Sequence, residues 1–283
     1  MNRVNSQLPG KRAAALLRFT LLGLLSVLFL IPFYLIVRNA LMSDEQITAS
    51  HWLWFPARPH FENFQTLFAD KTAPMLVGLV NSAIIAVVTL ILQMLFSSMA
   101  GYALARIPAK GRNAVFAVIL ATLMIPSAVT FVPTFAVVAA LGGVNTRWGI
   151  IAPSLFSAFS TFLFRQFYLK FPAEIEEAGR MDGLGYFGVY WHLLLPNSLS
   201  ILTALGVLTF IGSWNSFLWP LVIGQDSSAW TVQVVLSTFL TSQTIQLSEL
   251  FAAAAVGVAP LVLVFLFMQR YIVEGAKFSG GKE

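Results

Sequence analysis

The chain has no cysteine, only three histidines and few charged residues. Without cysteine it can form neither a disulfide framework nor a thiolate metal site. His51 and His60 have no third ligand at a suitable spacing, so we expect no metal site. The pattern G-x4-G-K-[ST] does not occur, which excludes ATP binding through a P-loop. These absences argue against an enzyme, and we predict no catalytic residue and no cofactor in this chain.

Charged residues make up 10% of the chain, against about 25% in soluble domains. Hydrophobic residues make up 58%, and the mean hydropathy is +0.79. This composition predicts an integral membrane protein. The net charge of +5 does not indicate nucleic-acid binding, because the basic residues do not form a cluster along the sequence.

Six runs with no charge, or almost none, are long enough to cross a bilayer as helices. We predict an all-α membrane protein whose spans cover residues 19–37, 75–101, 113–140, 148–168, 197–223 and 250–269. Residues 19–272 form the predicted transmembrane domain, with cytoplasmic segments over 1–18 and 273–283. The first run does not end in a small-x-small cleavage site, so we interpret it as a retained helix rather than a signal peptide.

Some residues of these spans and their loops predict local geometry. Ser97 and Gly101 are one helical turn apart and favour close packing against another helix. Pro126 and Pro133 are expected to kink or locally unwind helix three. The segment 225–248 is rich in Ser, Thr and Gln, so we interpret it as a solvated outer loop that holds a short helix or a re-entrant piece.

Basic residues are distributed unevenly between the two membrane sides that the six spans define. Thirteen Lys and Arg residues lie on the side of the N-terminus and four on the other side. By the positive-inside rule, both termini and the loop between helices four and five are cytoplasmic. The first outer loop carries Trp52, Trp54 and Phe55, which we expect to be interfacial anchors, with a sugar-stacking platform as the alternative.

The stretch from Phe171 to Ser198 is the only densely charged passage between long apolar runs. Pro172 suits a first helical position, and three glutamates follow it within five residues. Gly183 and Gly185 should end this helix after about ten residues. Such a short helix is marginal alone in water, so we expect it to dock on another element. Four apolar or aromatic residues at helical spacing then predict a second helix that suits the membrane interface.

A spaced pattern in this stretch resembles the loop E-A-A-x3-G-x9-I-x-L-P of ABC importer permeases. The residues that match the pattern, with the aspartate that precedes its glycine, are Glu177, Ala178, Asp182, Gly183, Leu195 and Pro196. Gly179 stands in place of the second alanine and Leu193 in place of isoleucine. The stretches 214–220 and 269–275 resemble the carbohydrate branch of these proteins, in particular its MalG-like subunit.

The resemblance implies a type I importer permease with six transmembrane helices, both termini inside and a cytoplasmic coupling helix between helices four and five. We call residues 171–196 the coupling segment. The residues implied to couple to the ATPase are Glu174, Glu177, Ala178, Gly179, Asp182, Gly183, Leu195 and Pro196. The implied partners are a second permease, two ATPase subunits that bind ATP and Mg, and an extracytoplasmic solute-binding protein. The implied location is the bacterial inner membrane.

The predicted function is therefore that of a permease subunit for ATP-driven import of a sugar or oligosaccharide. A glycerophosphodiester, a polyol or another polar solute is the alternative cargo. An ion-coupled secondary transporter is disfavoured, because such carriers ordinarily bury acidic or basic residues in their spans. The candidate solute-pathway residues are Asn81, Trp214, Asn215 and Ser216, with interhelical hydrogen bonding as the alternative role for the asparagines. Whether this subunit or its partner permease contacts the solute stays open, as does contact of the C-terminal tail with the ATPases.

Overall fold

The structure is a computed structural model. It describes residues 9–241 and 246–280, with the backbone alone for 9–13, 241 and 270–280. Within these ranges every regular element is helical, as predicted. Residues 1–8 and 281–283, which belong to the two predicted cytoplasmic segments, lie outside the described residues.

The α-helices of the described ranges are numbered in chain order. They are α1 (Pro9–Ala40), α2 (Asp44–Ile47), α3 (Glu62–Ala69), α4 (Met75–Arg106), α5 (Arg112–Thr122), α6 (Ser127–Ala140), α7 (Arg147–Ile151), α8 (Ala158–Leu169), α9 (Ala173–Met181), α10 (Tyr186–Val189), α11 (Leu195–Asn197), α12 (Leu199–Trp214), α13 (Leu218–Ile223), α14 (Val232–Thr241) and α15 (Leu247–Gly280). A π-helical turn, Tyr190–Leu194, joins α10 to α11. Short 3-10 turns cover Ala152–Ser154 and Ser227–Ala229.

Three helices contain stretches long and apolar enough to cross a membrane. These are Ala14–Ala40 in α1, Met75–Arg106 in α4 and Leu247–Gln269 in α15. Two bent pairs also qualify if each is one broken span: α5 with α6, and Tyr186–Asn197 with α12. The described residues thus hold up to five candidate spans by length and composition. The predicted span 148–168 is not a continuous helix, because α7, a 3-10 turn and α8 divide it.

Two further predicted helices are interrupted. The helix predicted over 113–140 is split into α5 and α6, which meet at an angle of 101°, and the interruption predicted at Pro126 is confirmed. Pro126 directly precedes α6, where its missing N–H is tolerated, whereas Pro133 lies inside α6. The helix predicted over 197–223 is also split, because residues 215–217 separate α12 from α13. Hydropathy alone does not detect such breaks.

Two helices run beyond their predicted ends. Helix α4 continues to Arg106 instead of ending near 101, and α15 continues to Gly280 instead of ending at 269. The described part of the predicted tail 273–283 is therefore helical. The outer segment 225–248 does contain a short helix, α14, but Val232, Val234 and Val235 are almost fully buried. The described part of that segment around α14 is therefore packed against the protein rather than solvated.

Helix α4 is the centre of the larger of two compact units, which comprises residues 70–238 and 257–283. It packs along α8 and α12. Helices α4 and α8 approach closely at Gly101, where a Cβ atom would lie 2.5 Å from Phe164 Cβ. Ser97, one turn earlier, is fully buried. The close packing predicted for this pair of small residues is confirmed.

Among the described residues, 9–69, 239–241 and 246–256 form the smaller unit. The Asn63 amide donates hydrogen bonds of 2.9 Å to the carbonyls of Ala40 and Met42, which fixes the turn after α1. Trp52 and Trp54 are exposed and pack edge to face. Their exposure suits the predicted interfacial anchoring, which stays a prediction.

Candidate functional site

The short helix predicted in the coupling segment is present as α9, which is nine residues long. Its end is a Schellman motif. The Gly183 N–H donates to the Arg180 carbonyl at 3.0 Å, and the Leu184 N–H donates to the Gly179 carbonyl at 3.0 Å. Gly183 has a φ of +87°, a left-handed conformation that disfavours any side chain. This glycine therefore determines where α9 ends and how the chain leaves it.

Glu176 is the one glutamate of α9 that is buried, with 5% exposure. Its Oε1 lies 3.0 Å from Nε of Arg106, at the end of α4. The same guanidinium donates from Nε to the Tyr168 carbonyl at 2.9 Å and from Nη2 to the Phe171 carbonyl. Because the Nε–H points at a carbonyl, the carboxylate is held by charge attraction. Arg106 thereby joins α4, the end of α8 and α9.

Arg180 completes this arrangement from within α9. Its Nη2 lies 3.8 Å from Glu176 Oε2, and its guanidinium stacks over the Tyr186 ring at 4.7 Å. The sequence places Glu176 among the acids at the start of α9 and Arg106 and Arg180 among the inner basic residues, but it does not predict that they pair. Glu176, Gly179 and Arg180 share one helix face at spacings of three and four residues, and this pattern could have identified the docked side of α9.

The predicted coupling residues lie on both faces of this arrangement. Glu174, Glu177, Ala178, Asp182, Gly183 and Pro196 are exposed, whereas Gly179 is buried and Leu195 is half-buried. Met181 is 89% exposed and adds an apolar side chain to the outward face. The outer face of α9 is thus acidic with an apolar end, while its inner face is held against α4 by Glu176 and Arg106.

The two departures from the family pattern contact one another. A Cβ atom on Gly179 would lie 2.5 Å from Leu193 Cδ1. Leu193 therefore occupies the space that the alanine methyl group of the family pattern would need. This contact also fastens α9 to the π-helical turn that follows it in the chain.

The segment after α9 differs from the predicted aromatic stripe. Tyr190 and Leu194 are buried, and only Phe187 and Trp191 are exposed, with their rings stacked. The Tyr190 hydroxyl lies 2.7 Å from Ser98 Oγ on α4. The two buried residues are four positions apart, as are the two exposed ones, so the pairs form two adjacent strips on the helical segment. One side of the segment therefore packs into the core while the other remains free.

A cleft of about 320 Å³ opens between α4, α8 and α12 in the larger unit. Among its fourteen lining residues, eight carry a hydroxyl or amide group and none carries a charge. They include Thr89 and Gln93 on α4, Ser157 and Ser160 at the start of α8, and Trp219 on α13. The cleft can therefore offer hydrogen bonds and aromatic surface to an uncharged polar molecule. Within the described residues no group of three His, Asp or Glu side chains could hold a metal ion.

Of the four predicted pathway residues, Ser216 lines this cleft and the other three do not. Asn81 is fully buried, donates to the Ser228 and Trp230 carbonyls and accepts from Arg147 Nε. Trp214 is buried and donates to the Gly257 carbonyl at 3.0 Å. Asn215 is exposed and accepts from Gln233 at 3.3 Å. These hydrogen bonds assign structural roles to the side chains of Asn81 and Trp214.

Three transport system permease proteins are similar to the chain over most of its length. An arabinooligosaccharides transport system permease protein, AraQ of Halalkalibacterium halodurans, is 38% identical over 71% of this chain and 72% of its own. A lactose transport system permease protein, LacG of Rhizobium radiobacter, is 31% identical over 94% of this chain and 96% of its own. An sn-glycerol-3-phosphate transport system permease protein, UgpE of Yersinia enterocolitica, is 33% identical over 90% of this chain and 92% of its own.

A solved structure shares the fold. It is a bacterial ABC transporter involved in the import of the acidic polysaccharide alginate, and one of its chains matches with a TM-score of 0.82. The match covers 93% of this chain and 98% of that chain at 22% identity, so it shows the fold alone. Residues 93–277, which hold both the coupling segment and most of the cleft, match a family profile. The chain belongs to that family, the binding-protein-dependent transport system inner membrane components.

Proposed function

We propose that this chain is a permease subunit of an ATP-driven importer and that its coupling segment docks on a cytoplasmic ATPase subunit. The observation that carries the proposal is the two-sided geometry of α9. Arg106 anchors its inner face through Glu176, while Glu174 and Glu177 point outward beside Met181. A partner with a basic, partly apolar groove would bind that outer face and move α4 with it.

The proposed solute is a sugar or oligosaccharide. The names of the relatives cover arabinooligosaccharides, lactose and sn-glycerol-3-phosphate. A phosphorylated solute is normally bound by arginine, lysine or a helix N-terminus. The cleft residues include no arginine or lysine, and most of their polar groups are hydroxyls. The N-terminus of α8 borders the cleft but is capped by Ser157, whose Oγ accepts from the Ser160 N–H at 3.1 Å. This chemistry favours a neutral polyhydroxylated solute over a glycerophosphodiester.

The remaining parts of the proposal come from family membership and the charge distribution. A second permease completes the pathway, two ATPase subunits bind ATP and Mg, and an external protein delivers the solute. The chain crosses the inner membrane six times, with residues 19–272 as the membrane domain and both termini inside. The thirteen basic residues on the proposed inner side, against four outside, support this orientation.

The test of the driving force is uptake by the assembled importer in proteoliposomes. We expect uptake that requires ATP and persists when proton and sodium ionophores are present. Uptake that ionophores abolish would instead indicate an ion-coupled carrier.

The test of the coupling segment is Glu177→Lys. Reversal of this exposed charge should abolish solute-stimulated ATP hydrolysis while the importer still assembles, since Glu177 makes no contact in the core. Glu177→Asp, which keeps the charge, is the matched control and should retain most of the stimulation. A normal stimulated ATPase rate in Glu177→Lys would contradict the proposed docking.

A further inference from the structure

Two breaks in the helical structure meet at the cleft. Residues 152–157 interrupt the run from α7 to α8, and residues 215–217 interrupt the run from α12 to α13. Ser154, Ser157 and Ser216 from these breaks line the cleft. In a membrane domain, non-helical backbone is tolerated where it is buried in protein or lines a polar cavity. Discontinuous helices also mark the binding sites of many transporters. The position of the cleft is therefore that of a binding site.

The polar side chains of the cleft are incompletely satisfied within the protein. Gln93 Nε2 donates to Ser160 Oγ at 3.5 Å, which is a long hydrogen bond. Among the described residues, Gln93 Oε1 has no partner. Thr89, one turn earlier on the same face of α4, has a buried hydroxyl that also lacks a partner there. A bound molecule with several hydroxyl groups would satisfy these donors and acceptors.

Outside the cleft, two buried serines of α4 have hydrogen-bond partners within the protein and a third does not. Ser98 Oγ lies 2.7 Å from the Tyr190 hydroxyl, and Ser82 Oγ accepts from the Val232 N–H at 2.8 Å. Ser97 is fully buried outside the cleft, and its hydroxyl lacks a partner among the described residues. A missing hydrogen bond alone therefore does not define a site. The half-buried Gln93 amide is distinguished by its place in a cleft with uncharged polar walls.

Aromatic surface completes the lining. The Trp219 indole N–H already donates to the Gly149 carbonyl at 3.2 Å, so its orientation is fixed. Phe159, at the start of α8, is half exposed at 51%. Rings of this kind contact the apolar faces of pyranose and furanose rings, whose edges carry the hydroxyl groups. Uncharged amide and hydroxyl groups beside aromatic rings fit a neutral sugar.

We propose that this subunit itself contributes a solute subsite, in which Gln93, Thr89 and Ser160 hydrogen-bond the hydroxyl groups of a neutral sugar. The proposal rests on the proposed import function and adds which subunit contacts the solute and through which residues. Gln93 is the principal residue, because its amide can donate and accept at once.

The first test measures ATP-driven uptake by the assembled importer of three probes: arabinotriose, lactose and glycerol 3-phosphate. Gln93→Leu keeps a similar side-chain volume and removes the amide. We expect it to lower the uptake rate of the transported neutral probe about tenfold, which is the effect of one lost hydrogen bond. Ser97→Ala, one turn away on the same helix, is the matched control and should stay within about twofold, since it removes a hydroxyl outside the cleft.

The second test uses the absence of native cysteine. A hydrophilic thiosulfonate reagent should label Gln93→Cys and not Ser97→Cys, because only the first position faces the cleft. The transported neutral probe should slow labelling of Gln93→Cys severalfold, and glycerol 3-phosphate should not. This readout reports occupancy of the cleft and does not depend on the transport rate.

The outcomes separate the two proposals. Normal wild-type uptake of a neutral probe, together with an unchanged rate in Gln93→Leu or unprotected labelling of Gln93→Cys, would overturn the subsite alone. Wild-type uptake of glycerol 3-phosphate only would overturn the assignment to neutral sugars. An assembled wild-type importer without ATP-dependent uptake would overturn the proposed function and the subsite with it.

Discussion

At the scale of single residues, Gly183 and Gly185 differ in backbone conformation, although both have room for a side chain. Nothing lies within 4 Å of a Cβ atom added at either position, but Gly183 has a φ of +87° and Gly185 a φ of −74°. Gly183→Ala should therefore destabilise the end of α9 by about 1 kcal/mol, while Gly185→Ala should be nearly neutral. The melting temperatures of the purified importers carrying each variant give the comparison. Equal effects of the two variants would show that the left-handed conformation is not needed.

Gly179 and Leu193 show how two departures from a motif act as one. The sequence alone presents them as separate substitutions, because nothing in their spacing reveals a contact between residues fourteen positions apart. In the structure Leu193 Cδ1 fills the space beside Gly179. Glycine with leucine therefore packs here in place of the alanine and isoleucine of the family pattern.

This contact predicts non-additive mutations. Gly179→Ala alone should change the stability of the importer little, since about 1 kcal/mol of helix propensity offsets the overpacking of a 2.5 Å contact with the flexible end of Leu193. In the Leu193→Ile background the same change should stabilise the importer by about 1 kcal/mol, because it restores the combination of the family pattern. A double-mutant cycle on the melting temperature measures the coupling. Strict additivity of the two changes would contradict the compensation.

At the scale of helices, composition predicted the membrane class and the approximate positions of the long helices. Helix α4 was predictable because its interior carries no charge. The breaks at 152–157 and 215–217 were not, since hydropathy measures affinity for lipid and not helical continuity. Of the residues that line the cleft, the sequence identified Ser216 alone. The others became neighbours only through the packing of α4, α8 and α12.

The coupling segment shows a similar limit. Its spacing identified α9, Gly183 and the outward Glu177, because those positions match a family pattern. It did not identify Glu176 or Arg106, whose pairing joins residues seventy positions apart. A long-range ion pair leaves no periodic trace in the sequence. The identity of the residue on α4 that anchors α9 therefore required coordinates.

The anchor between α4 and α9 predicts an effect of Arg106→Lys. Lysine keeps the charge but cannot reach two carbonyls and the Glu176 carboxylate from one planar group. We expect about 1–2 kcal/mol of destabilisation, because lysine still attracts the Glu176 carboxylate but loses hydrogen bonds to the two carbonyls. The importer should melt at a lower temperature and hydrolyse more ATP per solute molecule transported.

Arg112→Lys is the matched control for this variant. Arg112 makes a single long hydrogen bond of 3.5 Å to the Ile107 carbonyl. Its replacement should therefore leave the melting temperature and the ATP hydrolysed per solute molecule unchanged. If Arg106→Lys behaved like Arg112→Lys, the guanidinium would not be the link between the two helices.

At the scale of the whole molecule, α4 connects the proposed coupling site with the proposed solute site. Arg106 ends this helix, and Gln93 lies thirteen residues earlier on it, a distance of about 20 Å at 1.5 Å per residue. A rigid helix held by α9 at one end would transmit displacement of the coupling segment to the wall of the cleft. The connection requires that the coupling segment is cytoplasmic and that the first loop lies outside.

The cysteine-free chain allows this orientation to be tested directly. Lys170 precedes the coupling segment and Arg58 lies in the first loop, and both side chains are exposed. In intact spheroplasts a membrane-impermeant thiol reagent should label Arg58→Cys, whereas Lys170→Cys should react only after permeabilisation. The unsubstituted chain is the control and should not react. Labelling of Lys170→Cys in intact spheroplasts would place the coupling segment outside, where no ATP-hydrolysing subunit could bind α9, and the proposed mechanism would be wrong.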